Sequence, residues 1–398
     1  MNLRDRLASI RRRLVRLTGP MTGLGRAVLV VALMSWLVAA RWDWQELAVL
    51  AGMCLTALVI SVAFTFGRTR LRVHTELVPP RVVAGNKAVA QFTVTNIDTR
   101  RLLPVRLEVP VGPAFGRVDV PTLAAGAAFE ETLVIPTERR AVIGIGPTRS
   151  VRGDPLGLMR REVQWTDQQE LFVHPRTSRL QGLSSGWLRD LEGQETNDRS
   201  QSDVAFHTLR EYVPGDDRRH VHWRTSARLG KLMVRQFIDV RRSMLAVVLS
   251  TDPGDYADAD EFELALSMGV SLGLKASIEG QEVLCFAGTR EVPAHSGQAL
   301  LDGLSRVELG DPVAGLHQVI GHAQRHCASA SVVAVCVGGG VTLADAQVAA
   351  QRFGSGTSVL LIRAAKADKA TCRRTGSLAA VSAPSLDDFT RGMWTVFG

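Results

Sequence analysis

Between Leu209 and Phe237 the sequence reads LREYVPGDDRRHVHWRTSARLGKLMVRQF. Seven cations (Arg210, Arg218, Arg219, Arg224, Arg228, Lys231 and Arg235) stand against three acids, Glu211, Asp216 and Asp217. Three chemistries fit such a stretch. Arg for phosphates with Tyr212 and Trp223 for stacking would bind phosphate or nucleic acid. Asp216, Asp217, His220 and His222 would supply acid–base groups for a hydrolase or transferase. Alternatively, bidentate pairs between the acids and guanidiniums would hold a structural frame, with the remaining charges free to dock a partner. Interleaved acids favour the frame, because a nucleic-acid groove is usually less self-neutralised. Pro214-Gly215-Asp216 reads as a turn. If HVHW is a strand, Val221 and Trp223 share a core face and His220 and His222 share the other.

Other motifs are incomplete. After MLAVVLS comes Ser250-Thr251-Asp252-Pro253-Gly254. A von Willebrand factor A metal site wants D-x-S-x-S there, for hard oxygen ligands. Ser250 replaces the leading acid, and Asp252 and Gly254 replace the serines, so the site is degraded and no metal or other cofactor is expected. Gly338–Gly340 follow a strand pattern, but neither G-x-x-x-x-G-K-[ST] nor a helix-opening G-x-G-x-x-G is present. His322 and His326 share a helical face, yet HAQRH lacks the zincin glutamate, and solvated surface histidines are expected. No nucleophile elbow is visible.

The elements that must position these residues fall into several parts. Length 398, with 46% hydrophobic and 22% charged residues, implies two or three folded units. Residues 1–26 are a basic segment with seven Arg and one acid, Asp5. Residues 27–66 hold two apolar runs, separated by RWDWQE, that predict a transmembrane helical hairpin. Trp42 and Trp44 fall where an aromatic belt would lie. Arg residues flank both outer ends, so the positive-inside rule places both termini and all soluble parts in the cytoplasm of a two-pass membrane protein. The five cysteines show no C-x-x-C pair and are read as reduced, mostly core thiols. The net charge of +8 suits anionic partners, including anionic lipid.

Residues 73–176 show short alternating runs (AVAQFTVTNI, PVRLEVPV, EETLVIPT, QELFVHP) with turn residues between them. That pattern predicts an immunoglobulin-type β-sandwich without its disulfide. Residues 177–208 read as a polar loop, and 209–242 carry the charged stretch. Residues 243–398 alternate strand and helix patterns, predicting an α/β domain with a mainly parallel sheet covered on both faces.

The charged stretch resembles the signature of a bacterial family catalogued as domain of unknown function fifty-eight. Leu209, Arg210, Tyr212, Gly215, Asp216, Arg219, Val221, Trp223, Ser226, Ala227, Arg228, Leu232 and Val234 match its pattern, and Asp154–Leu158 (DPLGL) resembles its upstream turn. Ala205 and Ser250 depart from it, at positions where an acid is common. The resemblance implies a von Willebrand factor A-like last domain and association with a MoxR-type AAA+ ATPase. It further implies a non-enzymatic membrane adaptor or assembly factor whose partner-binding residues are Arg210, Tyr212, Gly215, Asp216, Arg219, Trp223, Ser226 and Arg228. The rivals are phosphate or nucleic-acid binding and hydrolysis through Asp216, Asp217 and His222.

Overall fold

A computed structural model describes residues 21–65, 70–180, 204–213, 216, 219, 221–239, 244–327, 329–353, 357–366, 368–375 and 378–397. The chain divides into two compact units, Met1–Val173 and His174–Gly398.

The first unit opens with two helices, Gly23–Trp42 and Gln45–Thr65, each long and apolar enough to cross a membrane. Thr22 caps the first, its hydroxyl accepting from the Gly25 amide at 3.1 Å, and Asp43 ends it in the left-handed region (φ 50°). The buried positions are mostly small: Gly25, Ala32, Ser35 and Ala39 on one helix, Ala51, Leu58, Ser61 and Thr65 on the other. Both sets are spaced seven, three and four residues apart, a seam that lets two backbones approach without a large apolar filler. The remaining faces expose Leu33, Met34, Trp36, Leu37, Met53, Leu55, Val59 and Phe64. The core helix of a water-soluble domain would hide such a face.

Ten strands follow: β1 Leu71–Val78, β2 Arg81–Val83, β3 Ala88–Asn96, β4 Val105–Val111, β5 Ala114–Val120, β6 Ala128–Ile135, β7 Ala141–Ile145, β8 Arg149–Gly153, β9 Arg160–Gln164 and β10 Gln169–His174. One sheet has the order β1-β3-β6; the other has β2-β10-β7-β4-β8-β9, with β5 added to β4. Strict alternation drives this pairing. In β3, Ala88, Ala90, Phe92, Val94 and Asn96 are buried and the residues between them are half-exposed. Phe92, Leu107, Ile135, Ile145 and Leu171 fill one core shared by both sheets.

The second unit contains a two-stranded antiparallel ribbon, β11 Val204–Glu211 with β12 Met233–Asp239. The ribbon starts at Val204, inside the segment expected to be polar loop through residue 208. Its alternation (VAFHTLRE) is short and half-polar, so it reads as a strand only once a partner strand is in place. The main sheet comprises β13 Met244–Leu249, β14 Glu282–Ala287, β15 Arg290–Val292, β16 Val332–Val337, β17 Ser358–Ala364, β18 Thr371–Thr375 and β19 Leu378–Ala383. Their order is β15-β14-β13-β16-β17-β19-β18. The five central strands are parallel, and β15 and β18 close the edges antiparallel. Helices Ala259–Ile278, Gly297–Leu304 and Leu386–Phe397 contribute Phe262, Leu300 and Phe389 to the core on one face. Helices Leu316–His326 and Leu343–Ala350 contribute Val319, Ile320 and Ala346 on the other. Every residue of β16 is buried, as parallel strands covered on both faces require.

The sequence reading missed β15, β18, β19 and helix Gly297–Leu304. β19 (LAAVSA) is fully buried but rich in Ala, which carries no strand signal.

Candidate functional site

Two places in the second unit hold the residues singled out by sequence: the ribbon, and the carboxyl ends of β13 and β16.

In the ribbon, the Arg210 guanidinium grips the Asp216 carboxylate with two bonds, Nη1–Oδ2 at 2.8 Å and Nη2–Oδ1 at 2.7 Å. Asp216 also accepts from the Val213 amide at 2.9 Å, and its own amide donates to the Val213 carbonyl at 3.0 Å. The pair fixes the turn that leaves β11. Tyr212 continues the ribbon by donating its amide to the Leu232 carbonyl at 2.8 Å. His222 caps helix Trp223–Leu229, its Nδ1 accepting from the Thr225 amide at 3.2 Å. Ser226 is buried. Its hydroxyl accepts from the Met233 amide at 2.8 Å and donates to the His222 carbonyl at 3.1 Å, tying the helix to β12. Gly230 ends the helix at φ 64°, a conformation that favours glycine. Gly215, Asp217, Arg218 and His220 lie outside the described residues; Arg219 and Arg228 are exposed.

Trp223 corrects the sequence reading. HVHW is not a continuous strand. Only Val221 bridges to Val234, and both are buried, whereas Trp223 begins the helix and is 67% exposed. Helix periodicity replaces the two-residue alternation that would have turned the indole inward. Val213, Leu229 and Leu232 are exposed as well. So are Arg224 and Arg228, on elements tied together by the Arg210–Asp216 pair and by Ser226. As for acid–base work, Asp216 is engaged by Arg210 and His222 by its own helix, so the described residues do not bring these two into a shared site.

The second place is where ligands gather in open α/β sheets, the carboxyl ends of strands that flank a change of winding direction. Here the chain's own groups fill it. The Ser250 hydroxyl donates to the Asp255 carboxylate, which also accepts from the Leu316 amide at 3.1 Å. Asp255 thereby serves helix Leu316–His326, whose N-cap, Gly315, has no side chain to offer. Asp252 accepts from the Gly254 amide at 2.9 Å. The buried Glu261 carboxylate accepts from the amides of Ala257 at 2.7 Å, Gly339 at 3.0 Å and Lys366 at 3.4 Å. From the other side the Arg363 guanidinium donates to the Gly339 carbonyl at 2.6 Å and the Val341 carbonyl at 2.8 Å. The Gly340 amide donates to the Asp255 carbonyl at 3.0 Å. The glycine triplet thus lets the Pro253–Tyr256 turn lie on the end of β16. Tyr256 donates its phenol to the Ser250 carbonyl at 2.6 Å, and burial pushes its pKa well up, so it stays protonated.

Among the described residues no group of three or more His, Cys, Asp or Glu is placed to hold a metal ion. Millimolar magnesium or manganese is expected to leave the melting transition unmoved. An ion present at a hundred times its Kd would stabilise by about 2.7 kcal/mol, so an upward shift that Asp252→Ala abolishes would establish a metal site instead. Burial pushes the Cys327 thiol up to about 11 and the Cys336 thiol up to about 12, which keeps both inert. His322 and His326 do share a helical face and stack at 4.0 Å. His322 also packs edge-on to Phe286 at 5.0 Å, with its Nε2 buried, so it is less solvated than the sequence suggested.

Residues 208–386 match the family model described as Protein of unknown function DUF58. The match spans less than half of the chain and is a likeness over that stretch. It includes most of the ribbon, the main sheet and both sites described above. No curated protein matches the chain. Similar solved structures include the CARDB domain of a Pyrococcus furiosus protein in complex with di-metal ions (14% identity, 27% of this chain and 96% of that one, TM-score 0.21). Two others are the C-terminal domain of wzt (9% identity, 28% and 78%, TM-score 0.21) and the putative ApaA protein from Bordetella pertussis (20% identity, 27% and 97%, TM-score 0.19). Likenesses of this size carry no argument about function.

Proposed function

We propose that the chain is a non-enzymatic, two-pass membrane adaptor whose DUF58 region docks a partner protein through the ribbon. The family resemblance points to a MoxR-type AAA+ ATPase as that partner. One observation carries the reading. Among the signature residues Arg210 is paired with Asp216 and Ser226 is bonded to the first residue of β12, while Trp223, Val213, Leu229 and Leu232 are left exposed. Trp and Arg dominate the energetics of protein interfaces. We read the two-sheet domain as immunoglobulin-like and the seven-stranded sheet as von Willebrand factor A-like, on their shared core and doubly wound strand order.

The test is co-purification of the detergent-solubilised chain with the MoxR-type ATPase of the same genome. Trp223→Ala is expected to keep stability within about 0.5 kcal/mol, as exposed substitutions do, and to weaken association at least tenfold. Ser226→Ala should instead cost about 1–3 kcal/mol, because it leaves the Met233 amide without its acceptor. Undiminished ATPase recovery with both Trp223→Ala and Leu232→Ser would sink the docking surface.

The Arg-rich flanks support both termini and the soluble units lying on the cytoplasmic side. A reporter fused at Asp43 should read outside the cell membrane and one after Gly398 inside. A C-terminus open to protease in intact spheroplasts would reverse that topology.

A further inference from the structure

The DPLGL turn resembles a family motif, and its contacts give it a place against the helical pair. The Asp154 carboxylate is buried and accepts from the amides of Leu156 at 3.0 Å, Leu158 at 3.2 Å and Met159 at 2.5 Å, and from the Ser61 hydroxyl at 2.9 Å. The Leu158 carbonyl accepts from the Thr22 amide at 3.0 Å, and the Gly157 carbonyl accepts from the Thr22 hydroxyl at 2.7 Å. A Cβ on Gly25 would strike the Leu158 carbonyl, so only glycine lets the turn come this close. Leu158 and Met159 pack on Leu58, with Val28, Leu29 and Ala57 around them. Leu58 lies about two turns inside its helix, counted from Thr65. A helix of 20 residues is about 30 Å long, the thickness of the hydrocarbon core. If the helices span, the turn lies at the depth of the first turn of Gly23–Trp42 and the last turns of Gln45–Thr65.

The same end of the β-domain carries more apolar surface. Arg106 opposes Val151, so the chain entering β4 through Leu103 and Pro104 comes in at the end of the domain where β8 leads into the turn. The Ile97 amide donates to the carbonyl of Arg70, just before β1. Leu103, Leu156 and Ile97 are 70%, 53% and 49% exposed. Around them stand the exposed Arg70, Arg100 and Arg101, against the acid Asp98. Leu156 belongs to the turn packed on the helices, so where the helices span it lies near lipid.

We propose that this end of the β-domain is seated in the headgroup layer of an anionic bilayer. Ile97, Leu103 and Leu156 enter the acyl boundary, and Arg70, Arg100 and Arg101 lie at the level of the lipid phosphates. The bilayer is the occupant because Leu156 stands on the turn that packs against both apolar helices and because the charge at this end has the sign that anionic lipid attracts. The inference rests on the spanning reading and deepens it: the domain is held by its own surface as well as by its tether.

The experiment uses the full chain in nanodiscs, with an environment-sensitive fluorescent amino acid at one position at a time and lipids brominated high or deep on the acyl chain as quenchers. Labels at Leu33 and Leu55, mid-helix, report whether the helices span, and a label at Val78, at the far end of β1, reports water. Labels at Leu103 and Leu156 are expected to be quenched at least twofold by the high bromines and little by the deep ones. That quenching should grow when phosphatidylglycerol replaces part of the phosphatidylcholine, and Arg100→Ser with Arg101→Ser should remove the dependence. No quenching at 103 and 156, with 33 and 55 quenched, overturns the seating alone. No quenching at 33 and 55 overturns the spanning reading and the seating with it. Quenching at 103 and 156 that ignores phosphatidylglycerol overturns the role given to the arginines.

Discussion

Gly338→Ala is expected to cost about 3 kcal/mol or more, and Gly340→Ala a similar amount. A Cβ on Gly338 would lie 2.8 Å from the Tyr256 Cα and would strike the Asp255 carbonyl. One on Gly340 would lie 2.7 Å from the Gly254 carbonyl. These neighbours are backbone and cannot rotate away, so the whole Pro253–Tyr256 turn has to move. Overpacking of a core typically costs about 1–3 kcal/mol, occasionally more. Moving the turn also disturbs Asp255 on the Leu316 amide and Tyr256 on the Ser250 carbonyl. Chemical denaturation of the purified chain measures this. A phosphate loop would behave differently: alanine there would remove ligand binding and leave denaturation nearly unchanged. Near-native denaturation of both variants would therefore reopen the triplet as a ligand site.

Asp154→Ala is expected to cost about 2–4 kcal/mol in the first unit. The substitution leaves three amides and the Ser61 hydroxyl without their acceptor, and a buried donor without a partner costs about 1–3 kcal/mol. Asp154→Asn should fall between, because it keeps one oxygen and turns an amide donor toward other donors. The effect also has a pH signature. Burial by itself raises the Asp154 carboxyl, but the amide of Met159, the hydroxyl of Ser61 and the amide of Leu158 outweigh it and hold the group below its ordinary value. A lowered folded value means this stabilisation is fully present above the unfolded carboxyl range, about 3.9. It is lost as pH falls through the folded value. The gap between wild type and Asp154→Asn should therefore close in acid. Proteolysis of the β-domain in detergent, followed from neutral pH downward, reads the gap. A constant gap would remove the charge from the account.

Much of this architecture is legible along the chain. Uncharged runs at residues 27–40 and 47–66 announce the two helices because both are longer than a strand. Two-residue alternation announces β3 and β4 because each has one covered face. Continuous apolar runs announce β13 and β16 because both their faces are covered. β19 stayed hidden, since its alanines are placed by β17 and β18 on either side and not by any preference of their own. In the charged stretch, residue types foretold a guanidinium–carboxylate frame, yet they could not say that Asp216 meets Arg210. The sequence pattern also turned Trp223 the wrong way: with Val221 already in a bridge, two-residue spacing sends the indole inward. In the fold the chain changes from strand to helix between those two residues, where His222 caps the helix. Which of two periods governs a residue at such a junction is decided by its bonds to β12, such as the His222 amide on the Met233 carbonyl at 2.8 Å. The glycine triplet and Glu261 follow the same logic. Spacing alone could equally describe a phosphate cradle; only the tertiary structure puts the protein's own carboxylate on the Gly339 amide.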